Sequence, residues 1–174
     1  MHTPVRGHAG RPGSAARQAL GFAAWLLASF AAAAVGGAAA ADAPAFYAEL
    51  VRPEWAPPAW LFAPVWTALY VLMAVAAWLV WRVGGFAAAR GALLLFLAQL
   101  AANALWTWLF FAWRLGALAV AEILVLWSLV LATSLAFRRT SPLAATLLLP
   151  YLAWVTYASA LTWALWRLNP GLQI

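Results

Sequence analysis

Cysteine is missing from this chain of 174 residues, which excludes disulfides, thiolate metal centres and cysteine nucleophiles. Lysine is missing as well, so all 10 basic side chains are arginines. The two histidines, His2 and His8, both fall in the N-terminal tail, so no imidazole is available deeper in the chain. Charge is scarce: 8% of residues are charged against 68% hydrophobic, and the mean hydropathy is +0.90. So few polar side chains cannot cover a water-facing surface, and the composition places the chain in a bilayer. Strand-like alternation is also lacking. Backbone groups in lipid must be satisfied within their own segment, so the spans are expected to be helices, not the strands of a barrel.

What is present is a set of long apolar runs, at about 18–41, 59–81, 91–113, 115–137 and 142–166, uncharged except for Glu122. Each reaches the roughly 20 residues a helix needs to cross the hydrocarbon core. The expected fold is an all-α membrane protein, a five-helix transmembrane bundle forming one domain over 18–170. A basic, Gly- and Pro-rich disordered tail is expected over 1–17 and a short tail over 171–174. Arg6, Arg11 and Arg17 before an apolar run ending in small residues also describe a secretory signal. The run is longer than an ordinary signal core, which favours a retained helix.

With the N-terminus cytoplasmic, Arg6, Arg11, Arg17, Arg82, Arg90, Arg138 and Arg139 lie inside, and Arg52, Arg114 and Arg167 outside. That is the positive-inside asymmetry, and it points to a bacterial inner membrane protein. The net charge of +6 implies no nucleic acid, because the arginines are dispersed at helix ends and form no stripe.

Between the first two runs lies a stiff segment. Pro53, Pro57, Pro58 and Pro64 each restrict the backbone and remove a donor, so residues 52–58 are expected to be an ordered loop rich in Pro and Trp. In the third run Gln99, Asn103, Trp106 and Phe110 share one helical face. Two amides there are costly in lipid, so they face protein or a cavity; helix-to-helix glue and ligand contact both fit. Trp66, Tyr70, Met73 and Ala77 form a stripe on the second helix, and Tyr151, Trp154, Ala158 and Leu161 another on the fifth. Interfacial belts account for many of the 13 tryptophans. Trp66, Trp106 and Trp154 differ in sitting beside Pro64, Asn103 and Pro150, where a helix kinks or carries a polar group. Glu122, the one acid inside a span, lies near that helix's start, where it is expected to reach the interface.

The chain reads Phe46-Tyr47, then Leu50-Val51-Arg52-Pro53-Glu54-Trp55-Ala56-Pro57-Pro58-Ala59-Trp60, then Ala63-Pro64-Val65-Trp66-Thr67-Ala68-Leu69-Tyr70. It resembles the tryptophan-rich sensory protein/translocator protein (TspO/MBR) family, which carries Trp-Tyr, Leu-x-Lys-Pro-x-Trp-x-Pro-Pro-x-Trp and Gly-Pro-Val-Trp-Thr-x-Leu-Tyr. Gln99 to Trp106 with Phe110-Phe111, and Ser141-Pro142 with Pro150 to Trp154 and Leu168-Asn169, extend the resemblance over roughly 20–170. Phe46, Arg52, Ala63 and Thr162 depart from the family's usual Trp, Lys, Gly and Asn.

The resemblance implies a receptor or sensor that binds porphyrins (protoporphyrin or haem), and sterol-like lipids or other planar molecules, in a cavity within the bundle. It implies no required cofactor, a homodimer, and contact with membrane lipid. Tyr47, Trp55 and Trp60 are expected to cover the mouth, Trp66, Trp106 and Trp154 to grip the ring faces, and Gln99 and Asn103 to meet its polar edge. Tyr70 lies on the same wall, and Ala158 is the small residue that leaves room. Transport of tetrapyrroles and oxidative porphyrin degradation remain as alternatives, although no nucleophile, general base or metal cluster is visible. With no His or Cys in the membrane, metal-free porphyrin is expected to bind at least as well as haem.

Overall fold

A computed structural model describes residues 15–172 and turns every long apolar run into helix. The tail expected over 1–17 lies outside the described residues up to 14, and residues 15–17 already belong to the first helix. Residues 173–174 of the C-terminal tail are likewise outside them. The elements are α1 (Ala15–Ala39), α2 (Ala43–Glu49), α3 (Phe62–Ala88), α4 (Arg90–Thr107), α5 (Gly116–Arg138), α6 (Pro142–Leu147) and α7 (Leu149–Leu168). Five spans are long and apolar enough to cross a membrane: α1, α3, α4 with its extension to Ala112, α5, and α6 with α7.

Local chemistry explains most of the boundaries. Ser141 caps α6 by accepting from the Ala144 N–H at 3.3 Å, with Pro142 following in the first turn. The fifth span, expected to be continuous over 142–166, breaks at Leu148 just before Pro150, which cannot donate to the preceding turn. Pro64, in contrast, sits in the first turn of α3, where a missing N–H costs nothing, and it causes no kink. The bend in α3 comes instead at Gly85, whose φ of +78° is one that a side chain would strain. At its end α4 widens into a π turn over Trp108–Ala112. Arg114 then turns the chain with φ +58°.

The spans close into a ring. α1 packs on α3 and α4, α5 lies between α4 and α7, and α6 closes the circle against α3. α1 approaches closely because Gly21 faces the Trp81 ring, where any β-carbon would overlap it. Two indoles then tie α1 down: Trp78 Nε1 donates to Gln18 O at 3.2 Å, and Trp108 Nε1 to Val35 O at 3.1 Å.

α3 meets α7 only thinly, so the two diverge at the end where α2 and the loop lie. Aromatic side chains fill that wedge, with Trp66 against Tyr151 and Phe62 against Trp154, each at 6.1 Å between ring centres. The loop over 50–58 is ordered, as its prolines led us to expect, and three contacts hold it. Tyr47 donates to Pro57 O at 3.0 Å, and Tyr157 donates to Trp55 O at 3.0 Å. Asn169, just past α7, accepts from the Val51 N–H at 2.9 Å and donates to Val51 O at 3.0 Å.

Candidate ligand-binding site

Under the loop lies a cavity of about 320 Å³. α1 contributes Ala33, Gly36, Gly37 and Ala40, which form a smooth wall of small residues. Facing it stand Tyr47, Phe62, Trp66, Tyr70, Trp106 and Phe111, a wall built almost wholly of rings. The rings lock one another: Tyr47 meets Phe62 edge-on at 5.4 Å, Trp66 tilts on Tyr70 at 5.8 Å, and Trp106 stacks on Phe110 at 5.9 Å. Gly37, Pro44 and Ala63 are its exposed members and mark a mouth between α1 and the start of α3.

Polarity is concentrated at one edge. The Tyr70 hydroxyl donates to Asn103 Oδ1 at 2.5 Å, and both residues are buried. Asn103 Nδ2 and Trp106 Nε1 are buried and make no hydrogen bond among the described residues, the Tyr151 hydroxyl being the polar group close to the Asn103 amide. Two donors left bare inside a bilayer protein are costly unless something accepts from them. Thr107 Oγ1 adds a hydroxyl beside Gly36, though it is already donating to Asn103 O at 3.1 Å.

Behind this space lies a second one of about 20 Å³, room for a water molecule at most. Tyr47, Phe62, Trp66, Trp106 and Phe111 line both, so these five rings form a partition. On the far side are Trp154, Ala158 and Thr162, with Thr162 Oγ1 turned back onto Ala158 O at 2.8 Å.

The residues expected at the site therefore separate into groups. Tyr47, Trp66, Tyr70, Asn103 and Trp106 converge on the larger cavity, and Trp154 and Ala158 lie behind the partition. Gln99 is buried one turn earlier on α4, where its Nε2 points to Met73 Sδ at 3.7 Å, and it lines neither space. Trp55 is 50% exposed and Trp60 71% exposed, and neither lines the cavity; the mouth is covered instead by Ala59, Phe62 and α2. Met73 and Ala77 are fully buried packing. Glu122 is half-buried, with Oε2 unpartnered and no ion pair among the described residues.

Sequence reasoning missed the α1 wall, because alanine and glycine in an alanine-rich helix carry no signal of their own. It also missed two cations, from the loop and from the turn after α4, that lie over rings of α2. Arg52 lies over the Tyr47 ring at 5.0 Å and Arg114 over Phe46 at 4.6 Å, each a cation–π contact that stiffens the floor of the mouth. Tyr47 lies outside the spans, and burial pushes its phenol above the ordinary value of 10.0, with Arg52 partly opposing the shift. It stays protonated and keeps donating to Pro57.

This geometry defines a class: an integral, multi-pass membrane protein of five helices, with an aromatic cavity between the first three spans and an ordered loop above it. Comparison with known proteins narrows it. The chain belongs to the TspO/MBR family, whose model matches residues 23–167. It is 41% identical over 128 residues to the translocator protein of Ovis aries, covering 72% of this chain and 76% of that one. It is 42% identical over 124 residues to the tryptophan-rich sensory protein of Cereibacter sphaeroides, covering 71% and 77%. Against protein CrtK of Rhodobacter capsulatus it is 40% identical over 131 residues, covering 73% and 80%. Membership supports a membrane receptor or sensor role.

Proposed function

We propose that this chain is a membrane receptor for a flat, largely apolar ring system of the porphyrin class, with sterol-like lipids as weaker competitors. The observation that carries this reading is the pairing of a ring-lined wall with two bare buried donors, Asn103 Nδ2 and Trp106 Nε1, at one edge. A planar ligand stacks on Trp66, Trp106 and Tyr47 and offers a ring nitrogen or carbonyl to those donors. The cavity is at the low end of the roughly 300–1,000 Å³ typical of ligand sites, so a tetrapyrrole enters edge-on through the mouth at Gly37 and Ala63 and leaves its acidic substituents outside. Arg52 and Arg114, over the Tyr47 and Phe46 rings of α2, are cations at that end of the bundle.

Binding also moves the partition. If the Trp66 and Trp106 rings swing, the two spaces join and Trp154 and Ala158 come into contact with the ligand. Replacing Trp154 with Leu then removes one stacking surface and weakens binding by roughly 5-fold while the purified protein stays folded. Tryptophan-quenching titrations with metal-free protoporphyrin and with haem test the reading, and the metal-free ring is expected to bind at least as tightly. Haem preference with a nitrogen-ligated optical spectrum would overturn it, as would quenching unaffected by any change at Trp66, Trp106 or Asn103. We further propose a homodimer, and a bacterial inner membrane location with the N-terminus cytoplasmic. The arginine-rich helix ends, with Arg82, Arg90, Arg138 and Arg139, then face inward. Reporter fusions at each end test the orientation.

A further inference from the structure

At the arginine-rich end of the bundle, far from the aromatic cavity, a groove of about 480 Å³ runs between the start of α4 and the end of α5. Arg90 and Arg139 flank its upper end and are both exposed. Its floor is Ala92, Ala132 and Ala136, half-buried, with Leu135 exposed alongside. From Arg139 to Ala132 is two helical turns, about 10 Å, so the groove descends from the level of the headgroups into the hydrocarbon. A single channel therefore offers cations at its top and a smooth apolar surface below.

Neither arginine makes a side-chain hydrogen bond, ion pair or ring contact among the described residues. Arg17 and Arg82, at the same end, lie over the Trp81 and Trp78 rings, whereas Arg90 and Arg139 stack on no ring among the described residues. No carboxylate lies at this end among the described residues, since Asp42, Glu49 and Glu54 sit at the opposite end and Glu122 is in the second turn of α5. The first turn of α4 has no side-chain cap at Ala89, which adds bare backbone N–H groups beside Arg90. Gly91 leaves the groove open, because a β-carbon there would meet nothing.

We propose that this groove binds an anionic phospholipid, with the phosphate between the Arg90 and Arg139 guanidinium groups and one acyl chain along Ala92, Ala132 and Leu135. Guanidinium is suited to phosphate because its planar fork donates two parallel hydrogen bonds to it. A zwitterionic lipid has the same chain and phosphate but brings an ammonium toward the two arginines, so the site selects on headgroup charge.

The test is native mass spectrometry of the delipidated full-length protein, titrated with phosphatidylglycerol and, separately, with phosphatidylcholine of the same chains. Wild type is expected to favour phosphatidylglycerol by on the order of 10- to 30-fold. Arg90→Gln with Arg139→Gln should abolish that preference. Gly91→Leu, which fills the groove without touching a charge, should lower retention of both lipids. Arg82→Gln, outside the groove at the same end, should leave the preference intact. Equal retention of the two lipids by wild type would overturn the proposal, as would a preference that survives the double substitution. Displacement of phosphatidylglycerol by millimolar inorganic phosphate alone would also overturn it, showing an anion site without an acyl-chain groove.

Discussion

Replacing Tyr70 with Phe and Asn103 with Leu together separates a ligand site from helix glue, since the two readings predict opposite outcomes. The Tyr70 hydroxyl donates to Asn103 Oδ1 at 2.5 Å, while Asn103 Nδ2 makes no hydrogen bond among the described residues. Tyr70→Phe alone strands the whole amide in a buried position, at a cost of about 1–3 kcal/mol. Asn103→Leu alone strands the Tyr70 hydroxyl at a similar cost, less whatever is regained by removing the bare Nδ2. The double variant leaves neither group behind, so its stability should fall within about 1 kcal/mol of wild type, or above it. Its ligand affinity should instead drop, because the hydrogen bond of about 0.5–1.5 kcal/mol from Asn103 Nδ2 is lost, or roughly 2- to 12-fold. Thermal unfolding in detergent reads the first quantity, and tryptophan quenching by metal-free protoporphyrin reads the second. A double variant destabilised by several kcal/mol with unchanged affinity would refute the reasoning and make Asn103 a bond between α3 and α4 and nothing more.

Gly37→Leu adds a side chain where a β-carbon would meet nothing, at the cavity mouth. Stability should hold or rise by up to about 1 kcal/mol, because glycine is a poor helix residue. Affinity for a bulky planar ligand should fall by roughly 10-fold or more, as crowding a site costs about 1–3 kcal/mol. Asn169→Ala removes both hydrogen bonds to Val51, and amide exchange over residues 50–58 should quicken by roughly 5- to 100-fold with the helices unaffected. For Tyr47 the sign follows from its raised pKa: the folded state holds the phenolic proton more tightly than the unfolded one. Loop closure is therefore independent of pH below 10.0 and weakens as pH climbs through the raised folded value. Tyr47→Phe should lose that step, measured by exchange over the loop.

The aromatic loop was legible because proline acts on its own backbone: Pro53, Pro57 and Pro58 stiffen residues 52–58 whatever surrounds them. The shared face of Asn103 and Trp106 was legible because it follows from helical period alone. Gln99 obeys the same period, yet the structure places it one turn too deep, against Met73. Trp55 and Trp60 were expected to cover the mouth on the strength of their motif, but Trp55 leans on Tyr157 at 5.8 Å and Trp60 faces outward. Asn169 had only its place in the resemblance to single it out, because its partner Val51 is distant in sequence and the pairing exists only after the ring of helices has closed.

By itself the sequence determined that this is a bilayer protein with five helical spans, and which segment between them is stiff. These are local properties: hydropathy sums along a run, and proline and helix period act within a few residues. Only the tertiary structure decided that the usable space lies against α1 and not at the centre, where Trp66 and Trp106 close it down to about 20 Å³. That outcome depends on how far each helix is rotated and how closely Gly21 lets α1 approach Trp81, both set by packing between residues far apart in the chain.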